Sequence, residues 1–342
     1  MKAKHGFIGW FQAQWTGNPL FSTTLALAVM VILQTLALGT DFDSFGDWWS
    51  TFYRNWIIVL RNNATVGIVS LGMAFVIISG GIDLAVGSTF VAAGALFLLL
   101  IDGGGWLAAI GLTGWTAFAA ATLLCVAAGA LLGGVNGVLV ANGGIPPFIV
   151  TLGTMKIFRS VTQDFMQRGH NPSFPQEFAD FSCLTFGGQM VMPIVYWLVV
   201  AGLLWVLSRR TVFGSHVVAV GSNERAAKLA GIQVRSVKRR VYILAGALVS
   251  FASVIQICRI GSMDYSNAGS GYEMDAIAAV IVGGTRMSGG RGSIVGTMLG
   301  VLIIGVMNNL LNLMGVPPFL REAFKGVVVV AAVLLQRKEA TS

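Results

Sequence analysis

Residues 190–260 read MVMPIVYWLVVAGLLWVLSRRTVFGSHVVAVGSNERAAKLAGIQVRSVKRRVYILAGALVSFASVIQICRI. Two apolar runs, 190–208 and 241–260, flank a polar stretch, 209–240. That stretch carries Arg209, Arg210, Arg225, Lys228, Arg235, Lys238, Arg239 and Arg240 against a single acid, Glu224. Each run comes close to the roughly 20 apolar residues a helix needs to cross a hydrocarbon core about 30 Å thick. A short basic connection between two such runs stays on the cytoplasmic side of a membrane. This stretch therefore sets both the class, an all-α membrane protein, and its orientation.

The rest of the chain agrees. Hydrophobic residues make up 55% of the 342 and charged residues 11%, and the mean hydropathy is +0.78. A soluble domain carries about 25% charged residues, enough to cover a wet surface, and this chain does not. Its 44 glycines against eight prolines suit membrane helices, where small residues let backbones approach. The predicted spans are 20–39, 56–80, 84–101, 114–141, 146–163, 190–208, 241–260, 274–285, 293–314 and 320–336, about ten in a single domain, 1–342. The stretch 274–285 is too short to cross alone. The first span is of full crossing length, which favours an uncleaved helix over a signal peptide.

Counting outward from 209–240 places both termini inside. The N-terminal segment 1–19 holds Lys2 and Lys4, and the tail 337–342 holds Arg337 and Lys338. Predicted outside are 40–49, with Asp41, Asp43 and Asp47, and 163–189, with Glu177 and Asp180. Trp48, Trp49, Tyr53 and Trp56 gather at one predicted interface as an aromatic belt. The net charge of +8 then reports cytoplasmic loops, not contact with nucleic acid. Cys125, Cys183 and Cys258 are scattered and odd in number, and His5, His170 and His216 are isolated. They read as packing and surface residues, with no metal site.

The sequence also resembles itself. Ile77-Ile78-Ser79-Gly80-Gly81 followed by Gly87-Ser88 is matched by Ile281-Val282-Gly283-Gly284 followed by Gly292-Ser293. Gly144-Ile145-Pro146-Pro147-Phe148 is matched by Gly315-Val316-Pro317-Pro318-Phe319, with Asn136 upstream of the first and Asn308 of the second. Facing repeats are a common transporter design, with the pathway at their junction. The spacing between blocks differs, so one copy holds an extra helix, or part of 84–141 enters the membrane without crossing.

Within the basic stretch, Ser222, Asn223, Glu224, Arg225, Ala226, Ala227, Lys228, Leu229, Ala230, Gly231 and Ile232 have the chemistry of one short helix. Ser222 or Asn223 caps it, Glu224 suits its positive end and stands i,i+4 to Lys228, and Gly231 suits the stop. Ala226, Leu229 and Ala230 form a narrow face. The plain interpretation is a surface linker; the functional one is a docking helix for a soluble partner. Asp83 stands at a span boundary, where it caps a helix beginning at Leu84 or takes part in gating. Glu273 and Asp275 open the short eighth segment with the same two roles available. No paired intramembrane base is evident, so a proton relay lacks support. Asn62, Asn63, Thr65, Asn136, Thr151, Thr154, Asn308, Asn309 and Asn312 lie in apolar surroundings. Hydrogen bonding between helices accounts for most of them, and a polar solute's pathway would need the same neutral groups. Arg286 and Arg291 fall on the docking side.

No GxxxxGK[ST] occurs, and none of the seven lysines follows a phosphate-binding loop. The chain is no ATPase by that mechanism and carries no catalytic residue. Power for transport comes from a partner or from an ion gradient.

Leu71-Gly72-Met73 leading into Gly80-Gly81-Ile82-Asp83-Leu84 resembles the ribose-type permeases of bacterial ABC importers. So do Asn136-Gly137, Thr151-Leu152-Gly153-Thr154-Met155, and Ala219-Val220-Gly221 followed by Asn223-Glu224. The longest match is Gly271-Tyr272-Glu273-Met274-Asp275-Ala276-Ile277-Ala278-Ala279 through Gly283-Gly284-Thr285, then Gly289-Gly290. The resemblance runs from about 56 to 336, with Ala85 and Met274 departing mildly from the family pattern. It implies a permease subunit of the bacterial inner (cytoplasmic) membrane that moves a monosaccharide by alternating access. It implies a second permease copy, identical or not, and ATP-binding subunits docked on the coupling helix 222–232. It also implies a periplasmic sugar-binding protein, and ATP and Mg handled by the partner ATPase with no cofactor on this chain. The alternative is a gradient-driven secondary transporter of a small polar solute; a membrane scaffold would leave the paired blocks unexplained.

Overall fold

The computed structural model describes residues 19–39, 43–168, 170 and 172–341. Lys2, Lys4, His5 and Asp41, and with them nearly all of the predicted N-terminal segment, lie outside the described residues. The helices before the basic stretch are α1 (Pro19–Ala37), α2 (Phe45–Ile78), α3 (Val86–Ile101), the single turn α4 (Trp106–Ala109), α5 (Gly114–Ala141), α6 (Pro147–Gln167), α7 (Asp180–Cys183) and α8 (Met192–Arg210). Within and after it come α9 (Val212–Ser222), α10 (Glu224–Leu229), α11 (Val234–Ile260), α12 (Tyr272–Val282), α13 (Ile294–Leu313) and α14 (Pro318–Thr341). The helix α14 absorbs most of the predicted tail.

Seven of these, α1, α2, α3 with α4, α5, α8, α11 and α13, are long and apolar enough to cross a membrane. The remaining expected spans differ for physical reasons. The helix α6 carries Lys156, Arg159 and Asp164, α14 carries Arg321, Glu322 and Lys325, and α12 has 11 residues. The second span starts earlier than expected because Ser44 caps α2, accepting from the Asp47 amide at 3.2 Å and donating to its carboxylate at 2.7 Å. The belt aromatics therefore pack along the first turns of α2, Trp48 stacked on Phe52 at 5.3 Å and Phe52 edge-on to Trp56 at 6.3 Å. The basic stretch is also mostly helical, since α9 fills its first half and α11 begins seven residues before 241.

The centre of the bundle is α11, which packs on α5, α2, α3 and α7. Its seam with α5 is built from small residues at helical spacing. Gly129, Gly133 and Gly137 of α5 lie on the Gly246, Tyr242 and Arg239 backbones, with no room for a Cβ at Gly133 or Gly246. The second half of α2 is buried from Gly67 to Ile78, and α12 and α13 close around it with α1 outermost. The outward faces of α5, α6 and α8 remain apolar and exposed, at Leu131, Val161 and Leu203 among others. That surface suits lipid, which solvates apolar side chains but no open backbone. A lobe of α7 and the two-stranded β1 (Thr185–Phe186) and β2 (Gln189–Met190), paired Thr185 to Met190, sits at the far end of α11 from α10.

The internal repeat survives in backbone detail. After α2, Gly80 donates to the Ile77 carbonyl and Gly81 to Val76; after α12, Gly284 donates to Ile281 and Thr285 to Val280. Both are Schellman stops, with Gly80 at φ 81° and Gly284 at φ 85°, where only glycine sits without strain. Each Pro-Pro block starts a helix, α6 and α14. Between the blocks the first copy holds α3, α4 and α5, and the second holds α13 alone. The first copy thus holds the extra helix, and α3, with 16 residues, spans about 24 Å, short of a full hydrocarbon core.

Candidate functional site

Two polar regions lie at opposite ends of α11. At its start sits α10, shorter than the predicted 222–232. Asn223 is its cap, accepting from the Ala226 amide at 3.0 Å, while Ser222 is the last residue of α9 and donates to the Val218 carbonyl at 2.8 Å. The helix stops as expected, Gly231 donating to Lys228 and Ile232 to Ala227. Glu224 reaches not to Lys228 but to Lys238 on α11, at 2.6 Å. Ala227 is turned inward, and Arg225, Ala226, Lys228, Leu229 and Ala230 are exposed. Leu229, 90% exposed, stands free of the bundle.

This helix rests on a junction of three chain segments. Gly290 donates to the Ile78 carbonyl at 2.9 Å, and the Ser222 hydroxyl to the Gly290 carbonyl at 3.4 Å. Gly221 fits between Ile78 and Gly290 so closely that a Cβ there would strike both backbones. The loop bearing Arg286 and Arg291 therefore lies beside the end of α9, at the first residue of the expected docking stretch. From Ile78 the chain runs unwound through 79–85 before α3 begins. Tyr242 donates to the Ile82 carbonyl at 3.0 Å.

Asp83, 3% exposed, lies in that unwound segment and accepts from the Ala85 amide at 2.9 Å. The expected cap at Leu84 is thus an Asx-type turn two residues on, and α3 starts at Val86 without a side-chain cap. Replacing Asp83 by alanine strands a buried amide and is expected to cost about 1–3 kcal/mol, read as a lower melting temperature in detergent. Asp83→Asn keeps the acceptor and should melt near wild type. Equal melting of the alanine variant would show that the turn contributes nothing.

Asn136 belongs to the same layer by register. Cys125 on α5 donates to the Ala93 carbonyl of α3 at 3.2 Å. Eleven residues on, about 16 Å along the helix axis, Asn136 comes level with the unwound segment. It is fully buried, and neither amide atom has a hydrogen-bond partner among the described residues.

At the other end of α11, Asn62 accepts from the Arg259 guanidinium at 2.8 Å and Thr65 donates to Gln256 at 3.2 Å. Asn309 donates to Asn55 at 2.9 Å, and Asn63 donates to the Val59 carbonyl and lies against Gly305. Asn308 is half-buried beside them on α13. Asp275 has the cationic partner that was not evident from sequence: Lys325 of α14 lies 2.9 Å from it and 2.9 Å from Glu322. Glu273 sits deeper, beside Gly87 at the start of α3, just past the unwound segment that holds Asp83. Thr151 and Thr154 donate to carbonyls of α6 itself, so nothing brings them to the asparagine cluster. Asn312 is exposed at the end of α13.

Several residues that organise this end were not picked out from sequence. Arg159 of α6 donates to the Ser266 and Ala268 carbonyls, at 2.8 and 3.1 Å, and Gln163 donates to Tyr265 at 3.4 Å. Together they clamp the loop 261–271 between α11 and α12. That loop dips back into the bundle, since Gly269 packs on Gly87 and Tyr272 on Phe90. Within it the Asn267 side chain and the Ser266 amide hold the Asp264 carboxyl below the usual range. An arginine inside a predicted span was a signal for such a clamp. The signal for the α5 seam was the glycine spacing of four.

The family described as "Branched-chain amino acid transport system / permease component" matches residues 55–333. The chain is 42% identical over 292 residues to the ribose import permease protein RbsC of Bacillus subtilis (strain 168), covering 83% of this chain and 85% of that protein. It is 38% identical over 289 residues to RbsC of Escherichia coli (strain K12), covering 84% and 86%. To the D-allose transport system permease protein AlsC of Escherichia coli (strain K12) it is 35% identical over 280 residues, covering 82% of each. The glycine-stopped helices, the broken segment at Asp83 and the exposed helix α10 all fall inside the matched range. With seven helices among the described residues long and apolar enough to cross a membrane, and a match over most of its length, this chain is a multi-pass membrane protein that belongs to that family of transport-system permease components.

Proposed function

We propose that this chain is the permease subunit of an ATP-driven importer of a monosaccharide, a ribose-like pentose or a hexose, in the bacterial inner membrane. Similarity to permeases named for ribose and allose, at 35–42% identity over more than four fifths of the chain, supports the substrate class. The observation that carries the mechanism is the seating of α10. Its cap follows directly on a junction tying the ends of α9 and α2 to the 283–293 loop, and the chain leaves that junction directly into the unwound segment at Asp83.

A push on Leu229 or Ala226 from outside the bundle is delivered through Gly221 and Gly290 to Ile78, and from there to α3. The basic stretch 209–240 is cytoplasmic, both termini are inside, and α6, α12 and α14 complete about ten membrane segments. ATP and Mg are bound by partner subunits docked at 222–232. A second permease copy and a periplasmic binding protein complete the assembly. The asparagines of α2 and α13 line the outer part of the pathway, and Asp83 and Asn136 its inner closure.

Proteoliposomes separate this mechanism from a gradient-driven one. The chain alone should take up no labelled ribose or allose, and adding the cognate ATPase, binding protein and ATP should start uptake. Uptake by the chain alone, abolished by an uncoupler, would sink the importer assignment.

A further inference from the structure

We propose that Cys183 and Cys258 form a disulfide on the outer side of the membrane, fastening the lobe 172–190 to the last turn of α11. The inference goes beyond the transport activity and rests on the orientation proposed above, which places the lobe in an oxidising compartment. Scattered in sequence, the two residues are brought together by the fold. The Cys183 sulfur lies 3.6 Å from the Cys258 carbonyl and 3.8 Å from that of Arg259. The approach is held from both sides. The buried Ser182 hydroxyl donates to the Ile255 carbonyl at 2.9 Å, and Tyr196 donates to the Phe181 carbonyl at 2.7 Å. Ile255 and Cys258 stand i,i+3 on α11, so they share the face that receives α7.

A disulfide needs its two Cα atoms within about 4.4–6.8 Å. The contact of the Cys183 sulfur with the Cys258 main chain brings the two residues side by side. The two thiols are asymmetric in a way that suits exchange. Cys258 is 1% exposed, while Cys183 is partly exposed beside Arg259. Burial pushes the Cys183 thiol up and the Asp180 carboxylate adds to that, while the Arg259 and Arg61 guanidiniums offset only part of it. Cys125 is fully buried and donates to the Ala93 and Ser250 carbonyls, and so serves as the unpaired reference.

The oxidant is a disulfide-bearing thiol oxidase of the outer compartment, for which oxidised glutathione stands in. The Cys183 thiolate attacks one sulfur of that disulfide, giving a mixed disulfide and releasing one thiol. Cys258 then attacks Cys183, forming the S–S bond and releasing the second thiol. Two electrons and the two thiol protons end on the oxidant.

The test uses full-length protein in membranes prepared without reductant, blocked with N-ethylmaleimide before and after denaturation, and mapped by peptide mass. The expected result is a linked Cys183–Cys258 peptide pair, two hydrogens lighter than the separate peptides. Cys125 should carry the maleimide, and Cys183→Ser should leave Cys258 open to it. Recovery of maleimide on both Cys183 and Cys258 in wild-type membranes overturns the proposal, even if glutathione later links them in detergent. Phe186→Cys, placed in a Cys183→Ser/Cys258→Ser background and probed with a membrane-impermeant maleimide, reads the topology separately. Labelling in intact cells with no native disulfide would sink the pairing alone; labelling only in inverted vesicles would sink the orientation and the proposal with it.

Discussion

Replacing Gly133 by leucine should remove folded protein from the membrane. A Cβ at Gly133 would meet the Tyr242 carbonyl and the Gly246 Cα, which belong to the backbone of α11 and cannot rotate away. The two helices would have to separate along the seam that joins α11 to α5. Overpacking a core costs about 1–3 kcal/mol when side chains can yield, and backbone against backbone lies at or above the top of that range. The expected readout is loss of the monodisperse peak on size-exclusion chromatography in detergent. Gly246→Val should behave alike, since its Cβ would strike the Gly129 carbonyl. Gly153 and Gly202 are the controls, because a Cβ at either meets nothing within 4 Å. Gly153→Ala and Gly202→Ala should purify like wild type. A Gly133→Leu protein that also did so would show that the seam is not a structural requirement.

The second large effect concerns transport with folding intact. Leu229 is 90% exposed and touches nothing the bundle needs, so Leu229→Asp should melt like wild type. If the exposed face of α10 enters a groove on the ATPase, a carboxylate there is desolvated without a partner. Losing an anchor of this kind costs at least about 2 kcal/mol of binding, roughly a thirtyfold loss of affinity. Co-purification with the ATPase should disappear and ATP-dependent uptake should fall in proportion. Ala226→Trp tests the same face by size instead of charge. Lys238→Ala breaks the tie to Glu224 at 2.6 Å on an exposed surface and should act weakly, within about 1 kcal/mol. Undiminished co-purification of Leu229→Asp would move the docking site elsewhere.

The asparagines show where reading the chain stopped. Their neutral amides in apolar spans were visible, but not which of them meet. Asn62 holds Arg259 from nearly two hundred positions away, and Asn309 holds Asn55 across a similar gap. The partner of Asp275 was not legible because Lys325 is fifty residues further on, in a helix whose packing on α12 no local pattern encodes. Asp83 was legible as a boundary residue, yet its actual contact, an amide two residues away in an unwound segment, depends on Tyr242 holding Ile82 out of helix. Thr151 and Thr154 satisfy their hydroxyls on carbonyls of their own helix one turn back, a local contact open to any helical threonine.

Local rules carried the rest. Span length and sparse charge made this a membrane protein, the basic stretch between two apolar runs oriented it in expectation, and Gly231 marked the stop of the short helix within it. Asn223 and Gly231 bracket α10 because caps and stops are decided within a few residues. Those properties belong to the chain itself. What only the tertiary structure decided is which side chains share a place: the glycine seam of α5 and α11, the junction of Gly221, Gly290 and Ile78, and the meeting of Cys183 with Cys258. Each of these joins residues through packing of whole helices, and a one-dimensional pattern holds no information on which helix faces which.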